Sequence, residues 1–381
     1  LCNFESNKKS NRLMKYNWEQ KDWRKFTYNK DVIEAYITIF YEKLGIAKGG
    51  LSFLDAKQHK DTLVDILVAE AIKTSEIEGE FLSRKDVVSS IKKNIGLPTN
   101  SAAVRDVRAK GIAEMVSIVH KDYESILTEE MLFDWHKLMF QKNTIVNAGC
   151  WRVHDESMQV VSGRVGKEVV HFVAPPSSDV PKEMKLFIKW FNDTAPGGNK
   201  EIKFAALRSA IAHLYFESIH PFEDGNGRVG RSIAEKALLQ TVGHPLLLSL
   251  SVSIEKDKSK YYESLRVGSK SNEITEWVKY FIETILDSFD NAEKLINFTL
   301  QKTRLFDKYK DVLTKNQFLV LKKMLSKGLD GYVGGMTAKK YMKITKVSKS
   351  TATREMGKLK DLGIFEIIGE GRSTSYLVNF N

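Results

Sequence analysis

Two cysteines in 381 residues, Cys2 and Cys150, leave no disulfide framework and show no metal-ligand spacing. Proline is sparse too, at 7 residues, which leaves each folded unit able to bury a core. Nor does any apolar run approach the roughly 20 residues that span a bilayer. The longest, residues 245–252, is interrupted by Ser249 and Ser251, so no membrane crossing is expected. Low-complexity tracts and fixed-period repeats are missing too, which excludes solenoids. A chain that is 42% hydrophobic and 28% charged, with both signs represented, is expected to fold into units with buried cores. The start, Leu1-Cys2-Asn3-Phe4, has no basic-then-apolar leader; a cytoplasmic location is expected, with the native start at Met14.

What is abundant is positive charge, and its position matters. The formal net charge is +11, and residues 301–381 carry 17 Lys and Arg against 7 Asp and Glu. The first 300 residues are nearly neutral. This predicts a neutral body joined to a basic C-terminal module, the electrostatic footprint of a polyanion binder. In the body, residues 61–78, 128–141, 180–191, 204–218 and 228–240 place apolar side chains at three- and four-residue spacing, which predicts helices. Residues 159–173 instead set β-branched side chains about a Gly-bounded turn, and a β-hairpin is expected there, stopped by Pro175-Pro176.

The densest chemistry lies at residues 220–231, His-Pro-Phe-Glu-Asp-Gly-Asn-Gly-Arg-Val-Gly-Arg. Gly225-Asn226-Gly227 can turn backbone N–H groups toward one point, and a helix starting near Arg228 would add its positive end, so an anion cradle is expected. Arg228 and Arg231 lie three apart in that helix's first turn, where cations oppose the macrodipole; a bound polyphosphate would reconcile them with it. Asp224 is a hard carboxylate of the type Mg²⁺ takes when water and phosphate fill the rest of its shell. His220 titrates near neutrality and could take a proton from a hydroxyl. Pro221 and Phe222 suit a stiff hinge and an apolar peg.

These twelve residues resemble the signature of the Fic family, H-P-F-x-[DE]-G-N-G-R-x-x-R, at every fixed position. The resemblance extends to residues 149–152, the hairpin, residues 174–176 and the segment 253–262, covering roughly residues 17–290. It implies a mainly α fold, a helical bundle with a β-hairpin flap, and transfer of AMP from ATP to a hydroxyl of a protein. By it His220 is the general base, Asp224 holds Mg²⁺, Asn226 and the Gly225 and Gly227 backbone hold the α-phosphate region, Arg228 and Arg231 hold the outer phosphates, and Phe222 is the buried anchor. Upstream, residues 74–79, Thr-Ser-Glu-Ile-Glu-Gly, look like the family's inhibitory motif. That likeness implies that Glu78 pairs with Arg231 and competes with the ATP γ-phosphate. Read by charge alone, the acids Glu76, Glu78 and Glu80 crowd a helix C-terminus, where they are unfavourable and call for a cation. Residues 14–23 also resemble the N-terminal region of one Fic branch.

The basic module reads as a helix-turn-helix with a wing: helices at residues 316–325, 337–342 and 348–359, then two strands about a Gly-rich turn carrying Arg372. Ala352, Met356 and Leu359 would face its core, leaving Lys349, Ser350, Thr353 and Arg354 outward. It resembles the winged-helix fold of bacterial transcription regulators, with residues 349–354 in the place of the recognition helix, which implies DNA contact through these four side chains and Arg372; protein contacts or homodimerisation are the other use of such a module. Three segments are thus expected: residues 1–100 with the inhibitory motif, 101–300 as catalytic core, and 301–381 as winged helix. The target would be a Ser, Thr or Tyr hydroxyl of a protein, including this chain itself. Other readings stay open at this point: a nucleotide-sensing transcription regulator, removal of AMP from a modified protein with Glu78 as base, and transfer of a different phosphorylated group.

Overall fold

The computed structural model describes residues 16–99, 104–141, 145–155, 158–162, 169–326 and 328–380. Cys2, Met14 and the tip of the expected hairpin, residues 163–168, lie outside them. The described chain is mostly helical. In order it runs α1 (Lys30–Ser52), α2 (Ala56–Ile77), α3 (Arg84–Asn94), α4 (Val107–Lys121), α5 (Glu129–Met139), β1 (Gln159–Ser162), β2 (Val169–Val173) and α6 (Val180–Asp193). It continues with α7 (Ala205–Ile219), α8 (Asn226–Val242), α9 (Leu250–Lys256), α10 (Lys258–Gly268), α11 (Thr275–Tyr309), α12 (Lys315–Leu325), α13 (Ala338–Thr345), α14 (Lys349–Asp361), β3 (Phe365–Ile368) and β4 (Ser375–Val378).

Contacts divide it into two units, residues 1–46 with 66–290, and residues 47–65 with 291–381. At the centre of the first are α7 and α8. Every residue of α7 is buried, because the helix carries small and apolar side chains on all its faces rather than one stripe. Its cation is buried as well: Arg208 donates to the carbonyls of Phe191 and Ala237 and to Gln240 Oε1, which satisfies a charge that burial would otherwise make costly. Helices start where the local chemistry demands it. Thr128 caps α5 by accepting from Met131 N, Ser83 caps α3, and Asp106 caps α4 with bonds from Arg108 N and Ala109 N.

The hairpin pairs Val160 with Phe172 and Val161 with Val170, so His171 is the extra residue of a bulge. Phe172 packs edge-on against buried Tyr16, and Trp18 Nε1 donates to Val173 O at 2.8 Å. The strand after the turn is thereby tied to the segment preceding α1.

In the second unit, α12, α13, α14 and the antiparallel β3–β4 pair enclose one core containing Val320, Leu321, Met324, Tyr341, Ala352, Met356 and Leu359. The segment 47–65 joins it through contacts such as Thr62 Oγ1 to Thr299 Oγ1.

Candidate active site

The loop between α7 and α8 is built by local strain and pinned from three sides. α7 ends at Ile219, and its C-cap His220, with φ of 50° and ψ of 61°, puts a non-glycine residue in the left-handed region. That conformation costs roughly 1–2 kcal/mol and persists only where surrounding contacts impose it. Arg152 supplies them. Only 1% exposed, it donates from Nε to His220 O at 2.8 Å, from Nη2 to Pro175 O and Ile219 O, and from Nη1 to Ser177 Oγ. Phe222, fully buried, stacks on the His136 ring at 4.1 Å. His136 Nδ1 accepts from Gly149 N at 2.9 Å, so Nε2 carries the proton and donates to Asp224 O at 3.0 Å. Burial holds that imidazole neutral, with its pKa lowered to about 4.

α8 begins at Asn226, two residues earlier than the apolar spacing predicts, because Gly225 turns through φ 81° and serves as the N-cap. Asn226 therefore lies at the first helical position. Its side chain is committed to the loop: Oδ1 accepts from Phe222 N at 2.9 Å and Nδ2 donates to Phe222 O at 2.8 Å. What Asn226 offers a ligand is its backbone N–H. The open helix end, with its unpaired N–H groups and positive dipole, is the anion cradle expected from Gly-Asn-Gly.

Both arginines are buried, Arg228 at 2% and Arg231 at 1% exposure, and both meet acids in the segment just after α2. Arg231 Nη2 lies 2.9 Å from Glu78 Oε1, while its Nε and Nη2 donate to Thr74 Oγ1 and Thr74 O. Burial alone would disfavour the Arg231 charge, but Glu78 more than compensates and the pKa is raised. Arg228 Nη1 lies 2.8 Å from Glu80 Oε1, and its Nη2 reaches Asp224 Oδ1 at 3.3 Å. Two guanidinium nitrogens, Arg231 Nη1 and Arg228 Nε, remain buried without a hydrogen-bond partner. Gly227 is equally informative. A Cβ added there would fall 2.3 Å from Glu78 Oε1 and 3.1 Å from Arg231 Nη1, so the glutamate occupies the space directly over the cradle.

Glu78, His220, Asp224 and residues 225–227 line one cavity of 680 Å³. His220, Asp224 and the helix end form one wall, the hairpin residues Val160 and Phe172 another, and Tyr262 and Leu265 of α10 a third. Tyr262 Oη donates toward Ile77 O at 3.3 Å and Glu78 Oε2 at 3.4 Å. A base, an anion nest and a half-exposed carboxylate thus face a space large enough for a nucleotide, and the helix that forms the nest carries the two buried arginines. Burial and hydrogen bonding place His136 and Glu217 in this assembly, although sequence reading assigned neither a role; Glu80, expected only to meet a cation, pairs with Arg228, and Thr74 and Arg152, known only as parts of the resembling segments, bond to Arg231 and His220. Glu217, three residues before His220, was the one with a positional signal.

In the second unit Lys349, Ser350, Thr353 and Arg354 are all exposed on α14. The one acid within the first three turns, Glu355, turns inward, where Tyr341 Oη donates to it at 2.8 Å and Asn316 Nδ2 at 3.3 Å. Among the described residues, no Lys or Arg of 301–380 forms an ion pair. Arg372 lies in the turn Gly371–Ser373 between β3 and β4; its side chain is outside the described part.

Residues 126–238 match the model of the Fic/DOC family, and residues 16–97 match that of a domain of unknown function, DUF4172. The chain is 28% identical over 131 residues to the protein adenylyltransferase Fic of Drosophila ananassae, covering 34% of this chain and 23% of that protein. It is 26% identical over 270 residues to the same-named protein of Drosophila melanogaster, covering 71% of this chain and 43% of the other. The chain therefore spans less than half the length of these curated relatives. Among solved structures, a Fic family protein from Desulfovibrio desulfuricans G20 superposes with a TM-score of 0.51 at 19% identity, over 90% of this chain and 96% of that one. This likeness is one of fold.

Proposed function

We propose that this chain, whose residues 126–238 form a Fic/DOC family domain, transfers AMP from ATP to a hydroxyl side chain of a protein. The carrying observation is the convergence, in one cavity, of His220, Asp224 and an open helix N-terminus whose first turns also carry two buried guanidiniums that keep unpaired N–H groups. The relatives named protein adenylyltransferases support the same chemistry. The hydroxyl oxygen attacks the α-phosphorus and its proton passes to His220; the bond from the α-phosphorus to the bridging oxygen breaks, and pyrophosphate leaves. The N–H groups of Asn226 and Gly227 hold the α-phosphate region, with Gly225 as the turn that aims them, and Arg228 and Arg231 hold the outer phosphates once freed from Glu80 and Glu78. Positioning and charge neutralisation do most of the work, since such transfer needs no protein nucleophile. Asp224 fits a Mg²⁺ ligand, because its carboxylate is 55% exposed beside the cradle with Oδ1 held by Gly225 N and Arg228. Bound there, Mg²⁺ would neutralise charge on the phosphate oxygens.

The Glu78 carboxylate, 2.9 Å from Arg231 and over Gly227, supports the reading that it competes with the γ-phosphate and that residues 78–80 must withdraw before ATP is seated productively. Labelled AMP incorporated into protein, lost on His220→Ala with ATP affinity retained, is the expected result. Unchanged incorporation in His220→Ala overturns the assignment, and Glu78-dependent loss of AMP from a premodified protein would favour the reverse reaction.

For the second unit, the acid-free basic face of α14 favours a winged helix that contacts duplex DNA through Lys349, Ser350, Thr353 and Arg354. A duplex that fails to bind even at low salt would favour protein contacts or dimerisation.

A further inference from the structure

The catalytic histidine's second nitrogen faces a buried carboxylate. His220 Nδ1 lies 3.5 Å from Glu217 Oε2, with Glu217 only 6% exposed and His220 15%. The two are three apart on the last turn of α7, and the left-handed cap at His220 turns the ring edge back toward its own helix. Nothing in the chemistry of the anion cradle requires an acid here. A carboxylate in this position is costly unless it has a partner, and its other oxygen, Oε1, is buried without one. Burial pushes the Glu217 carboxyl up, yet the contact with His220, then His213 and Arg231, outweighs it and leaves the group below its ordinary value. The surrounding packing keeps this space for it. A Cβ at Gly230 of α8 would fall 2.4 Å from Glu217 Oε1 and 3.0 Å from His213, so only glycine at that position lets the carboxylate stand against the helix.

We infer that Glu217 is the positioning residue of His220: it accepts the Nδ1 proton, which fixes the neutral ring in the Nδ1–H form and leaves Nε2 as the nitrogen that takes the substrate proton. Free imidazole gives no such assurance, since either nitrogen can carry the hydrogen. After transfer the ring holds protons on both nitrogens, and the ionised Glu217 offsets the new charge while keeping its own protonation state. The backbone donors of the helix end are untouched by this, so the residue acts chiefly on the transfer step.

The inference rests on His220 being the base, and the test separates the two. In the full chain with ¹⁵N-labelled histidine, the His220 signals, identified by their loss in His220→Asn, are expected to show a protonated Nδ1 and an unprotonated Nε2 above the titration range of the ring. An Nε2–H form in the parent overturns the proposal without any variant being made. Glu217→Leu is expected to release the Nδ1–H form, and in the Glu78→Gly background to lower kcat for AMP incorporation about 100-fold while the KM for ATP stays within about twofold. Glu217→Gln keeps an acceptor and is expected to keep the tautomer and recover about tenfold of that loss. A Glu217→Leu chain that keeps the Nδ1–H form, or whose kcat stays within about threefold of the background, refutes positioning. A parent whose tautomer is as expected but whose His220 variant still transfers AMP refutes the proposed function instead.

Discussion

Replacing Glu78 by glycine should raise AMP incorporation, and the structure sets the size of the effect. The pair it breaks is 2.9 Å long, with Arg231 1% exposed and the Glu78 side chain 27% exposed. That places it between exposed pairs, which contribute under about 1 kcal/mol, and fully buried ones, whose disruption costs about 3–5 kcal/mol. A bias of roughly 1–3 kcal/mol toward the closed form corresponds to about 5- to 150-fold in the population able to seat a γ-phosphate. Arg231 does not lose its place in the variant, because its bonds to Thr74 Oγ1 and Thr74 O come from backbone and side chain one turn earlier. The cradle therefore keeps its shape while Glu78 Oε1 vacates the space over Gly227. Glu78→Gln, which keeps the volume and removes the charge, should give a smaller rise. The assay is a time course of labelled AMP on protein for the parent, Glu78→Gly, Glu78→Gln and Glu78→Gly/His220→Ala at matched ATP and Mg²⁺. Equal rates in parent and Glu78→Gly would refute the reasoning, and label persisting in the double variant would show that it arises elsewhere.

Asp224→Ala should weaken ATP binding in Mg²⁺ and slow incorporation together, with the Mg²⁺ dependence of calorimetric binding flattened; an unchanged dependence removes Asp224 from the metal site. Glu80→Gln frees Arg228 from its 2.8 Å partner and should raise incorporation further in the Glu78→Gly background, read in the same time course. His136 has a folded pKa lowered to about 4 against an ordinary 6.5, so the unfolded chain binds the extra proton first, and stability is full above about pH 6.5 and falls as pH drops toward 4. Between pH 7 and pH 5 that amounts to about 2 kcal/mol, seen as a lower urea midpoint that His136→Gln should make less pH-dependent. Duplex DNA binding, followed by fluorescence anisotropy, should fall steeply with salt, and Lys349→Ala and Arg354→Ala should each reduce the salt slope by about 1 if they contact phosphates.

Much of this site was legible because its chemistry is contiguous. Residues 220–231 carry base, carboxylate, nest and guanidiniums in one stretch, so their types and spacing predict an anion cradle without any long-range information. The hairpin and the helix of residues 204–218 follow from local periodicity, and the charge excess of residues 301–381 is a property of composition. What no local pattern specifies is which side chains meet across the fold. That Glu80 pairs with Arg228 across 148 positions, or that His136 joins Gly149 to Asp224, depends on how helices distant in sequence pack. The same holds for burial. Glu355 turns inward to Tyr341 and leaves α14 a basic face, and Glu217 stands beneath His220 because Gly230 on the neighbouring helix leaves room. Local sequence determines the donors, acceptors and turns available. Tertiary packing decides which of them lose their water, and a polar group that loses water must find a partner.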